Sequence, residues 1–240
     1  MAPGARDGGA HDELGPMPAV VLFDVNGTLT DLRPIGAPWN RPELGPAALD
    51  LAVRTAMVDA LLQTGARPFS DHLRAAVEVV VAEAGLDLDG IDAAMAAAAT
   101  LPAWPDAAPA LARLAAVGWR VVALTNSGGR AGAATLRECG LLEHVELVLG
   151  VDAVASFKPH PSVYAYALAE LGCSAQDTTL VATHPWDLAG AAHGGISTAW
   201  VTHGARRWPS VFPSPDVEGD SLLAVAEAVV ARAGHRPARE

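Results

Sequence analysis

Short runs of apolar residues recur along the chain and alternate with stretches of helical periodicity. The runs are continuous and rich in Val, Leu and Ala, which is typical of strands buried on both faces of a parallel sheet. Strands are predicted over 19–24, 119–125, 145–150, 178–183 and 197–202. Helices are predicted between the later runs, over 107–117, 130–139, 161–171 and 187–193. This alternation predicts an α/β fold with a doubly wound parallel sheet and right-handed connections.

One interval interrupts the alternation, because residues 32–105 hold no convincing strand pattern. It begins with RPIGAPWNRPELGP and ends with LPAWPD, and both segments are rich in proline. Three helical patterns lie between them, over 47–63, 70–84 and 90–100. Proline-rich ends around an all-helical block predict a small inserted subdomain. Ligands of open α/β sheets bind beyond the carboxyl ends of the strands, so helices inserted after the first strand would cover that site as a cap.

These patterns divide the chain into three parts. We expect a disordered tail over 1–16, an α/β core formed by 17–32 and 106–240, and an all-helical cap over 33–105. The segment HGARRWPSVFPSPDVEGD, which starts at residue 203, is predicted to be a long loop before a last helix near 220–233.

Composition and charge narrow the classes of function. The chain has 240 residues, of which 51% are hydrophobic, enough for one large domain with an inserted subdomain. A formal net charge of −11 argues against nucleic acids and anionic membrane surfaces as partners. No apolar run approaches a membrane-spanning length, and the N-terminal stretch lacks an apolar signal core. Cys139 and Cys173 form no disulfide framework, so we expect a cytoplasmic protein.

Chemically distinctive side chains follow the ends of the predicted strands. Asp24 ends the first strand, Thr125 and Asn126 end the second, Lys158 follows the third and Asp187 follows the fourth. Because the carboxyl ends of parallel strands meet at one edge, these residues are expected to converge there. Each of them alone has an ordinary explanation, since an aspartate after a strand or before a helix is most often a turn or capping residue.

The only lysine adds weight to the functional interpretation. Of the 16 Lys and Arg residues, Lys158 alone is a lysine. Chance is one explanation, and chemistry that needs a compact ammonium group in place of a planar guanidinium is the other. Tyr164 lies six residues further on, and tyrosine occurs only there and at position 166.

Four segments resemble, in chain order, the motifs of the haloacid dehalogenase superfamily. They are FDVNGTLTD (23–31), LTNS (124–127), FKPHPSVYAYA (157–167) and VATHPWDLAGA (181–191). The resemblance spans roughly residues 18–205, and the helical insertion follows the first motif as the family's cap does. Within the superfamily the pattern is most similar to the type II, or L-2-haloacid, dehalogenases. It implies a Rossmann-like core and a hydrolase acting on carbon–halide bonds.

Asn26 distinguishes two branches of that superfamily. In the phosphatase branch, the residue two places after the nucleophile is an aspartate that protonates the leaving group, and an amide has no proton to give. The dehalogenase branch lacks this acid, because halide leaves as an anion. Phosphatases usually also carry two acids in the fourth motif to hold magnesium, whereas THPWD offers only Asp187. We therefore expect neither a metal nor another cofactor.

The resemblance implies a role for each site residue. Asp24 would displace halide from a small 2-haloalkanoic acid and form an ester, and water activated by Asp187 would hydrolyse that ester. Lys158 would keep Asp24 ionised and stabilise the oxyanion. Further catalytic residues, which would orient carboxylate oxygens or donate to the halide, are Thr28, Thr125 and Asn126. The predicted substrate-binding residues are Asn26, Tyr164, His184, Trp186 and Arg54, of which Tyr164 and Trp186 would form walls that exclude water.

Three positions depart from the family pattern, and one of them is Asn26, where the family tends to have an aromatic residue. Family dehalogenases carry a halide-binding arginine on the first cap helix, and the matching position falls near Ala52. Arg54 is nearby but is rotated by about 200° around a helix, and the further candidates are Arg33 and Arg41. The family also tends to have asparagine where His184 stands, which leaves His184 open as a second base, a halide donor or a pocket wall.

Two other functions remain open. A phosphatase or phosphonate hydrolase of the same fold is disfavoured by Asn26, and a catalytically silent ligand-binding protein would explain the absent arginine. A homodimer is expected only by likeness to the family.

Overall fold

The computed structural model describes residues 19–62, 67–204 and 207–234, so the tail predicted over 1–16 lies outside the described residues. Within those ranges the chain forms a six-stranded, fully parallel sheet with the order β3-β2-β1-β4-β5-β6. The strands are β1 (Val20–Phe23), β2 (Arg120–Thr125), β3 (Leu147–Gly150), β4 (Thr178–Ala182), β5 (Ser197–Val201) and β6 (Val217–Gly219).

Strand β1 lies at the centre of the sheet because every one of its side chains is apolar and buried. Val20 and Leu22 belong to the core on one face, whereas Val21 and Phe23 belong to the core on the other. The register aligns Phe23 with Ala123 of β2 and Val181 of β4. The residues that follow these three strands therefore emerge at the same edge of the sheet.

Three α-helices of the described residues lie within the interval 33–105, where the sequence predicts an all-helical insertion. They are α1 (Leu44–Leu62), α2 (Phe69–Glu83) and α3 (Ile91–Ala99). Helix α1 packs against α2 through apolar residues that recur at helical spacing, including Leu49, Val53, Leu73 and Val77. The exact boundaries proposed for the cap, at 33 and 105, stay predictions.

The remaining helices cover both faces of the sheet. They are α4 (Ala107–Ala115), α5 (Gly129–Glu138), α6 (Pro161–Leu171), α7 (Pro185–His193) and α8 (Leu222–Gly234). Leu111 of α4, Leu136 of α5 and Val225 of α8 enter one core, whereas Val163 of α6 and Leu188 of α7 enter the other. The predicted doubly wound architecture is therefore confirmed.

Strand β6 is a correction to the sequence analysis. Residues 203–220 were expected to form one long loop, yet Val217–Gly219 pairs with β5 in parallel. The strand has three residues and follows a proline-rich stretch, so it is too short to give a hydrophobic period. None of the helices within the described ranges combines the length and apolar character needed to cross a bilayer.

Candidate active site

Three charged side chains meet at the carboxyl edge of the sheet. Asp24 directly follows β1, Asp187 lies in the first turn of α7 after β4, and Lys158 lies in the loop before α6. Their exposed fractions are 5%, 0% and 0%. Buried ionisable groups are stable only when they are paired and hydrogen-bonded, so these three must be understood together.

Lys158 joins the two carboxylates. Its Nζ donates to Asp24 Oδ1 at 2.7 Å, to Asp187 Oδ2 at 2.7 Å and to the Leu124 carbonyl of β2 at 2.9 Å. An ammonium group has three donors, and all three are used. The predicted contact between Lys158 and Asp24 is therefore present, and a planar guanidinium could not match these three directions.

The other two carboxylate oxygens also accept hydrogen bonds from the protein. Thr28 Oγ1 donates to Asp24 Oδ2 at 2.7 Å and itself accepts from the Thr183 backbone N–H at 3.0 Å, which fixes the direction of its proton. Tyr164 OH donates to Asp187 Oδ1 at 2.6 Å. Each of the four oxygens of the two aspartates therefore has a donor, and both side chains are held in one orientation.

The environment makes Asp24 the stronger acid of the pair. Burial alone would disfavour its charged form, but the charges of Lys158 and His184 and the hydrogen bonds from Lys158 and Thr28 outweigh burial and lower the pKa of Asp24 below its ordinary value. Burial likewise opposes the charge on Lys158, and its two carboxylate partners raise the pKa of its ammonium. The nucleophile candidate is therefore ionised at neutral pH.

Asp187 is shifted in the opposite direction. Burial and the neighbouring negative charge of Asp24 raise the pKa of Asp187, although Lys158 and Tyr164 act against the shift. Burial and the charge of Asp187 also raise the pKa of Tyr164 well above its ordinary value, so its phenol remains a donor. Two neighbouring carboxyls whose pKa values are pushed apart are suited to different tasks, one as nucleophile and the other as proton acceptor.

A magnesium ion does not fit this arrangement. The carboxylates that would have to hold it, Asp24 and Asp187, each give one oxygen to the ammonium of Lys158, which lies between them. Their other oxygens accept from Thr28 and Tyr164. A divalent cation needs several oxygen ligands with free lone pairs directed at one point, and here the lysine occupies that point.

His184 lies beside Asp24 in the position where the family tends to have asparagine. Its Nε2 donates to the Asn26 carbonyl at 2.9 Å and is 3.6 Å from Asp24 Oδ2. The ring is 1% exposed and stacks on Trp186 with a centroid separation of 5.2 Å. Gly27 makes room for it, since a Cβ there would lie 2.9 Å from Nε2, and the φ of +86° also requires glycine.

Two asparagines leave buried polar atoms without a partner among the described residues. Asn126 Oδ1 accepts from the Lys158 backbone N–H at 2.8 Å, whereas its Nδ2 is unpaired. Asn26 Oδ1 is also unpaired, and so is Nδ1 of His184. Unpaired buried polar atoms are costly, and three of them around one carboxylate indicate a place where a polar ligand binds.

These residues surround a small crevice above Asp24. Its walls are Asp24, Asn26, Leu49, Val53, Phe69, Thr125, Asn126, His184 and Trp186. Thr125 was predicted to orient a carboxylate oxygen, but its Oγ1 accepts instead from the Ser127 backbone N–H at 3.1 Å. Tyr164 was expected to form a wall, and the structure places its hydroxyl behind the crevice, on Asp187.

Arg54 lies outside the crevice, in contrast to the prediction that it binds substrate. It is exposed, and its Nε contacts the Asp50 carbonyl of its own helix at 3.4 Å. Helix α1 turns Leu49 and Val53 toward the crevice, and the neighbouring position points away because successive residues differ by about 100°. Ala52, at the matching family position, is fully buried.

The other two candidate arginines are also engaged elsewhere. Arg33 pairs with Asp31 at 2.6 Å and lies over the Trp104 ring, and Arg41 pairs with Glu43. Neither contributes to the walls of the crevice. Among the described residues around Asp24, no arginine therefore takes the place of the halide-binding arginine expected from the family pattern.

Sequence reasoning missed the part of the site that comes from the insertion. Leu49, Val53 and Phe69 close the crevice from α1 and α2, and Thr183 positions Thr28 through its backbone N–H. The helical period of α1 identifies Leu49 and Val53 as members of one face, but it does not say whether that face covers the sheet or another helix.

Comparison with known proteins identifies the family. The haloacid dehalogenase-like hydrolase model matches residues 18–195, which is more than half of the chain. The chain therefore belongs to the haloacid dehalogenase-like hydrolases.

Individual relatives lie on both sides of the dehalogenase–phosphatase division. An (S)-2-haloacid dehalogenase from Burkholderia cepacia is 32% identical over 110 residues, 46% of this chain and 48% of that protein. The chain thus spans about half the length of that relative. A probable phosphatase from Dickeya dadantii is 29% identical over 208 residues, 78% of this chain and 83% of that protein.

The fold also matches solved structures. That of an L-2-haloacid dehalogenase from Xanthobacter autotrophicus superposes with a TM-score of 0.79 over 89% of this chain and 99% of that chain, at 24% identity. A second structure of that protein, with chloropropionic acid covalently bound, gives 0.78. At this identity the match shows the shared fold.

Proposed function

We propose that the protein is a metal-independent 2-haloacid dehalogenase that displaces halide from a small carboxylate substrate through an ester on Asp24. The observation that carries the proposal is the shared ammonium of Lys158, 2.7 Å from both Asp24 and Asp187. It keeps the nucleophile ionised, and it takes up one oxygen of each of the two carboxylates that a magnesium ion would need.

The first half-reaction is a displacement at carbon. An ionised oxygen of Asp24 attacks C2 of the acid from the side opposite the halogen, so that a C–O bond forms while the carbon–halogen bond breaks and the halide leaves with the bonding electrons. No proton is needed, which agrees with the amide of Asn26 in place of an acid. The unpaired Nδ2 of Asn126 is a donor available to the halide or the substrate carboxylate, and the ring of His184 lies in the wall of the same crevice.

The second half-reaction returns the enzyme to its starting state. A water molecule attacks the carbonyl carbon of the ester and gives its proton to Asp187, whose raised pKa suits a proton acceptor. The ammonium of Lys158 stabilises the oxyanion that forms on the former Oδ1. The C–O bond between the carbonyl carbon and the substrate oxygen then breaks, the substrate oxygen takes the proton of the hydroxyl group that came from water, and a 2-hydroxy acid leaves while Asp24 returns to a carboxylate. Asp187 releases its proton to the solvent. Halide and one proton are the other products.

Halide release tests the proposal directly. The protein is incubated with chloroacetate and with 2-chloropropionate, and free chloride is measured against Asp24→Asn as the matched control. The proposal expects chloride from the natural chain and none from the variant. No release from either acid at high enzyme concentration would contradict it.

Phosphate-ester hydrolysis is the second candidate, since the Dickeya dadantii relative is a probable phosphatase. Phosphate release that depends on magnesium, and that Asp24→Asn abolishes, would support this candidate over dehalogenation. We expect none, because Asn26 offers an amide in place of the acid that would protonate the leaving group, and Lys158 takes up one oxygen of each aspartate.

A further inference from the structure

A second and much larger cavity opens beside the crevice at Asp24. Its volume is about 840 Å³, and it lies between the inserted helices and the core. The cavity and the crevice share three wall residues, Asn26, Phe69 and Asn126. The shared residues place the cavity directly beside the crevice, so a substituent on a carbon held at Asp24 would enter the cavity past their side chains.

The cavity is too large for the acids used to test the proposed function. Chloroacetate and 2-chloropropionate have two and three carbons, whereas pockets of roughly 300–1,000 Å³ hold drug-sized ligands. A site of this size next to the nucleophile implies that the substrate carries a larger substituent on the carbon that Asp24 attacks.

The walls of the cavity define the chemistry of that substituent. Apolar side chains come from both sides, with Phe69 and Leu73 on α2, Met95 on α3, and Val151 and Phe157 on the core. Burial of apolar area is the main gain that such a wall offers to a ligand. The substituent that fits is therefore hydrocarbon, either aliphatic or aromatic.

The charged residues of the cavity do not favour a charged substituent. Arg67 also lines the cavity, but it is paired with Asp59 at 3.2 Å. Arg130 and Asp152 bring opposite charges to the same part of the wall, and Asp152 Oδ1 already accepts from the Gly129 backbone N–H at 3.0 Å. A substituent with an anionic or a cationic end would therefore meet charges of both signs in the wall.

We propose that the natural substrate is a 2-halogenated acid with an apolar substituent of several carbons, and that the cavity lined by Phe69, Leu73, Met95 and Phe157 binds this substituent. The inference rests on the proposed function and specifies its substrate. Each buried methylene contributes a factor of about four to kcat/KM.

A series of 2-bromo acids tests the inference. We expect kcat/KM to rise from bromoacetate and 2-bromopropionate to 2-bromohexanoate and 2-bromooctanoate, with a gain of about 50-fold for three added methylenes. Equal or falling values along the series would overturn the inference while leaving the proposed dehalogenase function intact, because bromide would still be released from the shortest acids.

A variant that fills the cavity sharpens the test. Ala98 of α3 lines the cavity, and Ala98→Trp should abolish the preference for long chains. Ala96 is an exposed residue of the same helix that is not part of the wall, so Ala96→Trp is the matched control and should keep the preference. A preference that survives in Ala98→Trp would show that the chain binds elsewhere.

Binding without turnover keeps the test independent of the proposed function. Calorimetry with Asp24→Asn should detect octanoate and a much weaker response to acetate, and Ala98→Trp in that background should remove the difference. If no acid releases bromide but octanoate binds in this way, the dehalogenase proposal fails and the cavity assignment stands. Equal binding of octanoate and acetate would overturn the cavity assignment.

Discussion

The crevice at Asp24 and the adjoining cavity differ in how their side chains are held. In the crevice every carboxylate oxygen of Asp24 and Asp187 accepts a hydrogen bond, and the lysine between them uses all three donors. The cavity is wide, mostly apolar, and lined in part by helices inserted between β1 and β2. The crevice has one arrangement of charge that suits one reaction, whereas the cavity constrains only the size and polarity of the substrate. Chemistry and substrate choice are therefore separated in space.

Among the variants considered, replacement of Lys158 should have the largest effect on stability and on halide release. Lys158→Met leaves two buried carboxylates without a cation, which should lower the free energy of unfolding by about 3–5 kcal/mol. It should also reduce halide release at least about 10³-fold, since the ionised nucleophile and the oxyanion lose their partner. Chemical denaturation and a chloride assay measure the two effects. Lys158→Arg keeps the charge but not the geometry, and full activity in that variant would contradict the assigned role.

Replacement of the second aspartate should separate the two half-reactions. Asp187→Asn removes the proton acceptor, so steady-state turnover should fall roughly 10²-fold or more. The ester should then accumulate on Asp24 and appear as added mass on the peptide that contains residue 24. Asp24→Asn is the matched control and should show no adduct. An Asp187→Asn enzyme that turns over normally would mean that another group activates water.

The decline of activity at low pH should reflect the protonation of Asp187. Its base form is lost as the pH falls through its raised pKa, so activity should decline at a higher pH than an ordinary aspartate would give. Tyr164→Phe removes a donor to the charged carboxylate and should move this decline upward by about one pH unit. Tyr166→Phe, on the same helix without a contact to Asp187, should leave the profile unchanged. A profile that Tyr164→Phe does not move would refute this assignment.

The smallest effect is expected when a charged residue of the cavity wall is replaced. Because the proposed substituent is apolar, Arg130→Ala should change the ratio of kcat/KM for 2-bromooctanoate and 2-bromopropionate by less than about twofold, within the range expected for an exposed side chain. Arg54→Ala, outside both regions, should behave in the same way. A large loss in Arg130→Ala alone would show that the substrate ends in an anion.

The sequence predicted the crevice better than the cavity for a physical reason. Asp24, Lys158 and Asp187 follow strands of a parallel sheet, and the topology of such a sheet brings strand ends to one edge whatever the loops do. The position of Arg54, by contrast, depends on which face of α1 turns toward the sheet. Hydrophobic period gives the apolar face of a helix but not the surface that it covers.

Other details of the site could not be predicted from the sequence because they depend on the positions of single atoms. Thr125 was a reasonable candidate to orient a carboxylate, and only the structure shows that its hydroxyl accepts from the backbone of Ser127. Tyr164 was expected to be a wall of the pocket, whereas its hydroxyl is the fourth donor to the aspartate pair. Strand β6 was missed because three residues carry too little pattern to separate a strand from a loop.

The central claim is that Asp24 becomes covalently attached to the substrate, and single-turnover hydrolysis in water enriched in oxygen-18 tests it most directly. With enzyme in excess over 2-chloropropionate, the heavy oxygen should enter the carboxylate of Asp24, and the product formed in that turnover should carry the light oxygen that Asp24 supplied. Heavy oxygen in the product of the first turnover, with Asp24 unlabelled, would mean that water attacks the substrate directly.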